Sequence, residues 1–214
     1  MHIAFDAYGT LLDVHSAATR HEALLGEDRA TVSEIWRTRQ LEYAWVATLA
    51  GRYEPFWTLT RRALGTALAL VGRAGDAELE EQLLAAYTDL APFDDVVPAL
   101  TALQARGATL SVLSNGDPEM LEKALGAADI RRHFEHVLSV DAVRRFKPDP
   151  LAYRVAEDCL GAARSEILFV SSNAWDAAGA AAFGLHSHWL NRGGRPREYP
   201  QFGGVNVISS LQDL

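Results

Sequence analysis

The feature that most restricts this fold is a pattern that recurs along the chain: a short apolar run of β character, an abrupt polar turn, then a helix. It begins with Ile3-Ala4-Phe5-Asp6-Ala7-Tyr8-Gly9-Thr10-Leu11-Leu12-Asp13, where the run stops at Asp6 and Gly9-Thr10 turn the chain. It returns at Thr109 to Leu113, which breaks at Ser114-Asn115-Gly116 before Asp117-Pro118 offers an N-cap with Pro in the first helical position. A third run, Val137 to Ser139, leads through Arg144-Arg145-Phe146-Lys147 to a helix opened by Asp149-Pro150 and carrying Tyr153. Ile167 to Val170 suits a parallel strand buried on both faces. It ends at Ser171-Ser172-Asn173, ahead of an Ala-rich helix around Asp176 that stops near Gly184. His186 to Leu190 and a weaker Val205 to Ile208 follow. Strands alternating with helices predict an α/β fold, a doubly wound (Rossmann-like) parallel sheet of about five strands.

One stretch departs from this rhythm. From Ser16 to Leu90 there is no convincing strand, and the sequence predicts four helices broken near Gly26, Gly51 and Gly72 to Gly75. In the second of them Val32, Ile35, Trp36, Leu41, Trp45 and Leu49 recur at roughly helical spacing. Pro92 and Phe93 mark the return to the sheet. The organisation expected is a core of residues 1–14 and 92–214 with a helical cap, residues 15–91, inserted after the first strand. A chain of 214 residues is long enough for both. Asn191 to Gly204, rich in Gly, Pro and Arg, is expected to form a mobile surface loop.

Several functional classes are disfavoured. The single cysteine, Cys159, excludes an intramolecular disulfide, and its apolar helical setting predicts a packing role. No N-terminal signal and no apolar run near the ~20 residues that span a bilayer are present, so a soluble cytoplasmic protein with no membrane partner is expected. A net charge of −8 without a basic stripe argues against nucleic acid. An anionic small substrate would need a local positive site. His186 and His188 share a strand face, but with no acid or thiol partner they do not read as a metal site.

A carboxylate at a strand end, such as Asp6, can be a nucleophile, a metal ligand or a turn cap. Each later strand also ends in polar residues: Ser114 and Asn115, then Ser171, Asn173 and Asp176, with Lys147 just ahead of a helix start. In an open α/β sheet these carboxyl ends lie along one edge, where ligands bind. A carboxylate, a cation and several hydrogen-bonding groups at the same edge outweigh the separate explanations as turn formers or surface charges.

These four stretches resemble the four motifs of the haloacid dehalogenase superfamily, in order and over the whole chain. Within it the sequence is most similar to the L-2-haloacid dehalogenases. The likeness is carried by Phe5 to Leu11, Trp36-Arg37 with Gln40-Leu41-Glu42-Tyr43, Leu113 to Gly116, Phe146-Lys147-Pro148-Asp149 and Ser171-Ser172-Asn173-Ala174-Trp175-Asp176. Tyr8 discriminates, because superfamily phosphatases carry there a second Asp that protonates the leaving oxygen and helps hold Mg²⁺. A phenol of ordinary pKa about 10 replaces that acid poorly, whereas a halide leaves without a proton. Ser171-Ser172-Asn173 likewise stands where phosphatases complete a metal site with acids, and Asp6, Asp176 and Lys147 make a poor Mg²⁺ cage.

The resemblance therefore implies hydrolytic dehalogenation of L-2-haloacids with no metal or other cofactor. Asp6 would attack the halogen-bearing carbon and form an ester, which water then hydrolyses with Asp176 as base or water-positioner. Lys147 would keep Asp6 ionised. Ser114 and the backbone near Ala7 and Tyr8 would hold the substrate carboxylate, and Arg37 with Asn115 would receive the halide. Thr10, Tyr153, Ser171 and Asn173 would orient these groups. Phe56 and Trp175, with Trp57 and Tyr53 as further candidates, would wall the pocket and exclude water. The family also implies a homodimer paired through the insertion.

Overall fold

The computed structural model describes residues 1–214. Strand β1 (His2–Phe5) is followed by five helices, α1 (Ser16–Arg20), α2 (Glu22–Leu25), α3 (Arg29–Leu49), α4 (Phe56–Leu70) and α5 (Ala77–Tyr87). Then come α6 (Val96–Ala105), β2 (Thr109–Ser114), α7 (Pro118–Ala127), β3 (His136–Ser139) and α8 (Pro150–Leu160). The chain continues with β4 (Ile167–Ser171), α9 (Ala174–Phe183), β5 (His186–Leu190) and β6 (Val205–Ile208). The strands form one parallel sheet in the order β3-β2-β1-β4-β5-β6. β1 is central, with Phe5 opposite Val112 of β2 on one side and Val170 of β4 on the other. Ile3, Phe5, Val112, Leu113, Phe169 and Val170 are fully buried, as parallel strands covered on both faces require.

The α/β class and the parallel sheet stand as expected, with six strands in place of about five. β6 pairs with β5 from Ser187↔Val205 to Leu190↔Ile208. It is an edge strand with Asn206 and Val207 exposed, which is why its apolar signal is weak. The insertion has five helices, not four, because the chain leaves helical geometry at His21 as well as at Gly26. α3 packs most extensively on α4, and Trp36 Nε1 donates to the Thr60 carbonyl at 2.9 Å.

Other expectations need correction. Leu49, read into the apolar stripe of α3, is 88% exposed, and the buried face is instead Val32, Trp36, Gln40, Ala44 and Ala47. Cys159 is exposed, since α8 turns Ala152, Tyr153 and Ala156 inward. The segment expected to be a mobile loop is tied down at its start. Asn191 and Arg195 exchange two hydrogen bonds, of 2.8 and 2.9 Å. Arg192 pairs with Asp95 at 2.7 Å and donates to the Thr10 carbonyl at 3.0 Å. Asp117 takes the N-cap position of α7, yet its carboxylate does not cap that helix. It reaches into the insertion. No helix is long and apolar enough to cross a membrane.

Candidate active site

The sheet order places Asp6 where it can act. Strand order reverses at β1, and such switch points open a crevice beyond the carboxyl ends of the strands. Asp6 follows β1 directly, Ser114 ends β2 and Ser171 ends β4, so all three reach the same crevice. Gly9, with φ of +91°, supplies the left-handed turn that brings Thr10 back towards Asp6.

The two carboxylate oxygens of Asp6 are held unequally. Oδ2 accepts from Thr10 Oγ1 at 2.9 Å, Asn173 Nδ2 at 2.9 Å and Ser171 Oγ at 3.3 Å. Oδ1 has one partner, Lys147 Nζ at 3.3 Å. Lys147 also donates to Asp176 Oδ2 at 3.0 Å and lies 4.7 Å from the centre of the Phe169 ring. Asp176 is completely buried and Lys147 nearly so, which makes this a desolvated set of two acids and one ammonium. Burial outweighs the attraction of Lys147 and pushes the Asp176 carboxyl up to about 6, with the charge of Asp6 acting in the same direction. Tyr153 donates to Asp176 Oδ1 at 2.9 Å, so both oxygens of that acid are oriented.

A small cavity lies over Asp6, lined by Tyr8, Arg37, Leu41, Phe56, Ser114, Asn115, Asn173 and Trp175. Its volume is about 10 Å³, room for roughly one water. Arg37 enters from α3 in the insertion. Its Nη1 donates to Gln40 Oε1 at 2.8 Å and its Nη2 to the Tyr8 carbonyl at 3.0 Å, with no carboxylate paired to it. A guanidinium held only by neutral acceptors keeps its charge available for an anion. Asn115 Oδ1 accepts from the Lys147 backbone at 3.0 Å, which leaves Nδ2 as its donor. Burial, with Tyr87 stacked at 5.6 Å, pushes the Tyr8 phenol well above its ordinary range, so it stays neutral.

A family model described as haloacid dehalogenase-like hydrolase matches residues 1–184. The chain belongs to that family. It is 45% identical to (S)-2-haloacid dehalogenase 1 of Pseudomonas sp. (strain CBS-3), over 98% of this chain and 92% of that protein. It is 43% identical to haloacetate dehalogenase H-2 of Moraxella sp. (strain B), over 90% and 86% of the two chains. The solved structure of L-2-haloacid dehalogenase from Xanthobacter autotrophicus with chloropropionic acid covalently bound superposes with a TM-score of 0.91. It is 34% identical and the match covers 99% of this chain and 95% of that one.

Not every expected residue of this hydrolase reaches the cavity. Tyr153 is fully buried behind Asp176, so it orients that acid and does not line the substrate space. The Ala7 methyl lies buried beneath the turn and its carbonyl accepts from the backbone of Thr10, Leu11 and Leu12, so only its backbone N–H is left for a ligand. Tyr53 donates to Asp141 at 2.5 Å, away from Asp6, and Trp57 lines the outer surface of the insertion. His186 and His188 sit with ring centres 5.0 Å apart, and no three His, Cys, Asp or Glu side chains form a group that could hold a metal.

Sequence reasoning missed three supports. Gln40, fully buried, accepts from Arg37 and Tyr87 and donates to Thr60 at 2.7 Å. The sequence marks it only as part of the Trp36-Arg37 and Gln40 to Tyr43 likeness and as a polar residue on the inner stripe of an amphipathic helix, neither of which assigns it a partner. Gly179 leaves space for Tyr153, since a Cβ there would lie 2.5 Å from the Tyr153 hydroxyl oxygen. A Cβ at Gly116 would lie 2.9 Å from the Tyr8 ring.

Proposed function

We propose that the protein hydrolyses short-chain L-2-haloalkanoic acids to D-2-hydroxy acids, with inversion, through an ester on Asp6. The observation that carries this reading is the unequal environment of the two Asp6 oxygens. Oδ1, with one long contact, has a lone pair free to attack the carbon bearing halogen. The carbon–oxygen bond forms as the carbon–halogen bond breaks, and the electron pair leaves with the halide. Arg37 and Asn115 stabilise that developing anion, while Ser114 and backbone N–H groups of the Ala7-Tyr8 turn hold the substrate carboxylate. Phe56, Leu41 and Trp175 keep the space dry, which strengthens each of these electrostatic contacts.

Once Oδ1 carries the ester, Oδ2 becomes its carbonyl oxygen. The three donors already on it, from Thr10, Ser171 and Asn173, then form a preorganised oxyanion site for the attack of water at the acyl carbon. Asp176 takes the proton of that water, and a carboxyl raised to about 6 is better matched to this task near neutrality than an ordinary one. The acyl bond breaks, the proton on Asp176 passes to the departing alkoxide, and Asp6 returns to its carboxylate as the second proton of the water is released to solvent. Product oxygen therefore comes from Oδ1. The dehalogenase names of the relatives and the covalently bound chloropropionic acid in the Xanthobacter structure support this sequence of steps.

On this reading residues 15–91 act as the cap over a core of residues 1–14 and 92–214, and the enzyme works in the cytoplasm as a homodimer without a metal or other cofactor. Lys147 takes the position between the two acids that a bridging cation would need. The test is halide release from L-2-chloropropionate in excess EDTA, which should proceed at the rate seen without chelator. Mg²⁺-dependent hydrolysis of p-nitrophenyl phosphate with no halide released from any haloacid would overturn the reading and favour a phosphatase.

A further inference from the structure

The cavity over Asp6 has room for roughly one water and is walled from both the insertion and the core, so admitting a haloacid requires those walls to move apart. The closed arrangement shown here must therefore be held by contacts that can break and re-form. The most specific of these is made by Asp117. By sequence it should cap its own helix, but α7 has no side-chain cap. Its two carboxylate oxygens instead accept from the backbone N–H groups of Phe56 and Trp57, each at 2.8 Å. These open α4, whose N-cap residue is Pro55 and which has no side-chain cap of its own. Because Pro55 has no N–H and the Thr58 N–H bonds the Pro55 carbonyl, a core carboxylate thus satisfies the two N–H groups left free at the start of an insertion helix, at the end where a negative charge is favoured.

What Asp117 holds in place is part of the cavity. Phe56 is the first residue of α4 and lines the space over Asp6. Its carbonyl accepts from Thr60 Oγ1 at 2.8 Å, Thr60 Oγ1 accepts from Gln40 Nε2 at 2.7 Å, and Gln40 Oε1 accepts from Arg37 at 2.8 Å. The first turn of α4 is therefore connected by buried hydrogen bonds to the guanidinium. The neighbouring corner of the insertion is gripped with the opposite sign of charge. Arg145 Nη1 donates to the Thr48 carbonyl in the last turn of α3 at 2.7 Å, and the Phe146 N–H donates to Thr48 Oγ1 at 3.0 Å. Asp117 follows Asn115 by two residues and Arg145 precedes Lys147 by two. Each grip is built into a loop that also supplies the site.

We infer that Asp117 is a positioning residue: by capping α4 from the core it latches the insertion closed and sets Phe56 and, through Thr60 and Gln40, Arg37 over Asp6. Under the dehalogenation proposed above, on which the kinetic part rests, its loss should impair turnover without contact between Asp117 and substrate.

The test compares the full-length protein with its Asp117→Ala and Asp117→Asn variants by amide hydrogen exchange, thermal melting and halide release from L-2-chloropropionate. Exchange at Phe56 and Trp57 should accelerate by about tenfold or more in Asp117→Ala, the effect of losing roughly one strong cap. kcat/KM should fall by a similar or larger factor, mostly in kcat. Asp117→Asn, which keeps one acceptor and the shape, should lie between. Unchanged exchange at Phe56 and Trp57 would overturn the latch. Accelerated exchange with wild-type kinetics, or lost stability with normal turnover in the folded fraction, would show a structural cap and overturn the positioning role. If Asp117→Ala does not fold, Asp117→Asn carries the same readouts. If the wild-type protein releases no halide from any haloacid, the dehalogenase reading fails while exchange at Phe56 and Trp57 still decides the latch.

Discussion

Replacing Lys147 with Met keeps most of the side-chain volume and removes one charge from a place water does not reach. The ammonium lies 3.3 Å from Asp6 and 3.0 Å from Asp176, and its side chain is 1% exposed. Two buried carboxylates would remain with no cation between them. Breaking a buried pair by removing one partner costs about 3–5 kcal/mol, a large part of the roughly 5–15 kcal/mol that a domain has in total. The loss should also depend on pH. Asp176 already titrates at about 6 with Lys147 present, above its ordinary range, and without the cation it must rise further. A carboxyl raised in the folded state binds its proton more tightly folded than unfolded. Folding is thus favoured progressively as pH falls through the folded value towards the ordinary one. Urea unfolding at pH 8 and at pH 5.5 should show the variant well below wild type at pH 8, with the gap narrowing at pH 5.5. Equal stability at pH 8, or a gap that widens on acidification, would refute the electrostatic account of this triad.

Arg37→Lys should lower turnover on L-2-chloropropionate by about 10²-fold or more, the scale for losing a preorganised donor to a developing anion, while stability changes little; near-wild-type rates would remove Arg37 from the halide site. Asp176→Asn should still form the ester but hydrolyse it slowly, so the intact protein should gain the mass of the acyl adduct after exposure to substrate. In the wild type, ester hydrolysis should slow as pH falls through about 6, because protonated Asp176 cannot accept a proton from water. A flat profile between pH 8 and 5 would assign the base elsewhere.

Much of the sheet was legible because its strands carry strong local signals. Ile167 to Val170 is a continuous apolar run that suits a strand covered on both faces, and the polar turns after β1, β2 and β4 place Asp6, Ser114 and Ser171 at one edge. β6 was faint because an edge strand buries too few side chains to show alternation. Cys159 and Leu49 misled for a related reason: helical spacing gives the apolar stripe, but the ends of a helix run past the surface that it covers. The reach of Asp117 to α4, the reach of Gln40 to Thr60 and Tyr87 and the place of Tyr153 behind Asp176 join residues 20 to 61 positions apart. No local pattern encodes such pairs. Asp117 showed the limit most clearly, because its sequence signature as an N-cap is genuine and the tertiary structure gives its oxygens to a different helix.

The central claim is that Asp6 Oδ1, and not water, attacks the substrate carbon. It is tested most directly by a single turnover in H₂¹⁸O with enzyme in excess over L-2-chloropropionate, followed by mass spectrometry of the product and of the peptide containing Asp6. Water attacking the ester carbonyl would place the label in the Asp6 carboxylate and leave the D-lactate essentially unlabelled. Label in the lactate with an unlabelled Asp6 peptide would mean that water attacks the substrate itself, and the ester mechanism would be wrong.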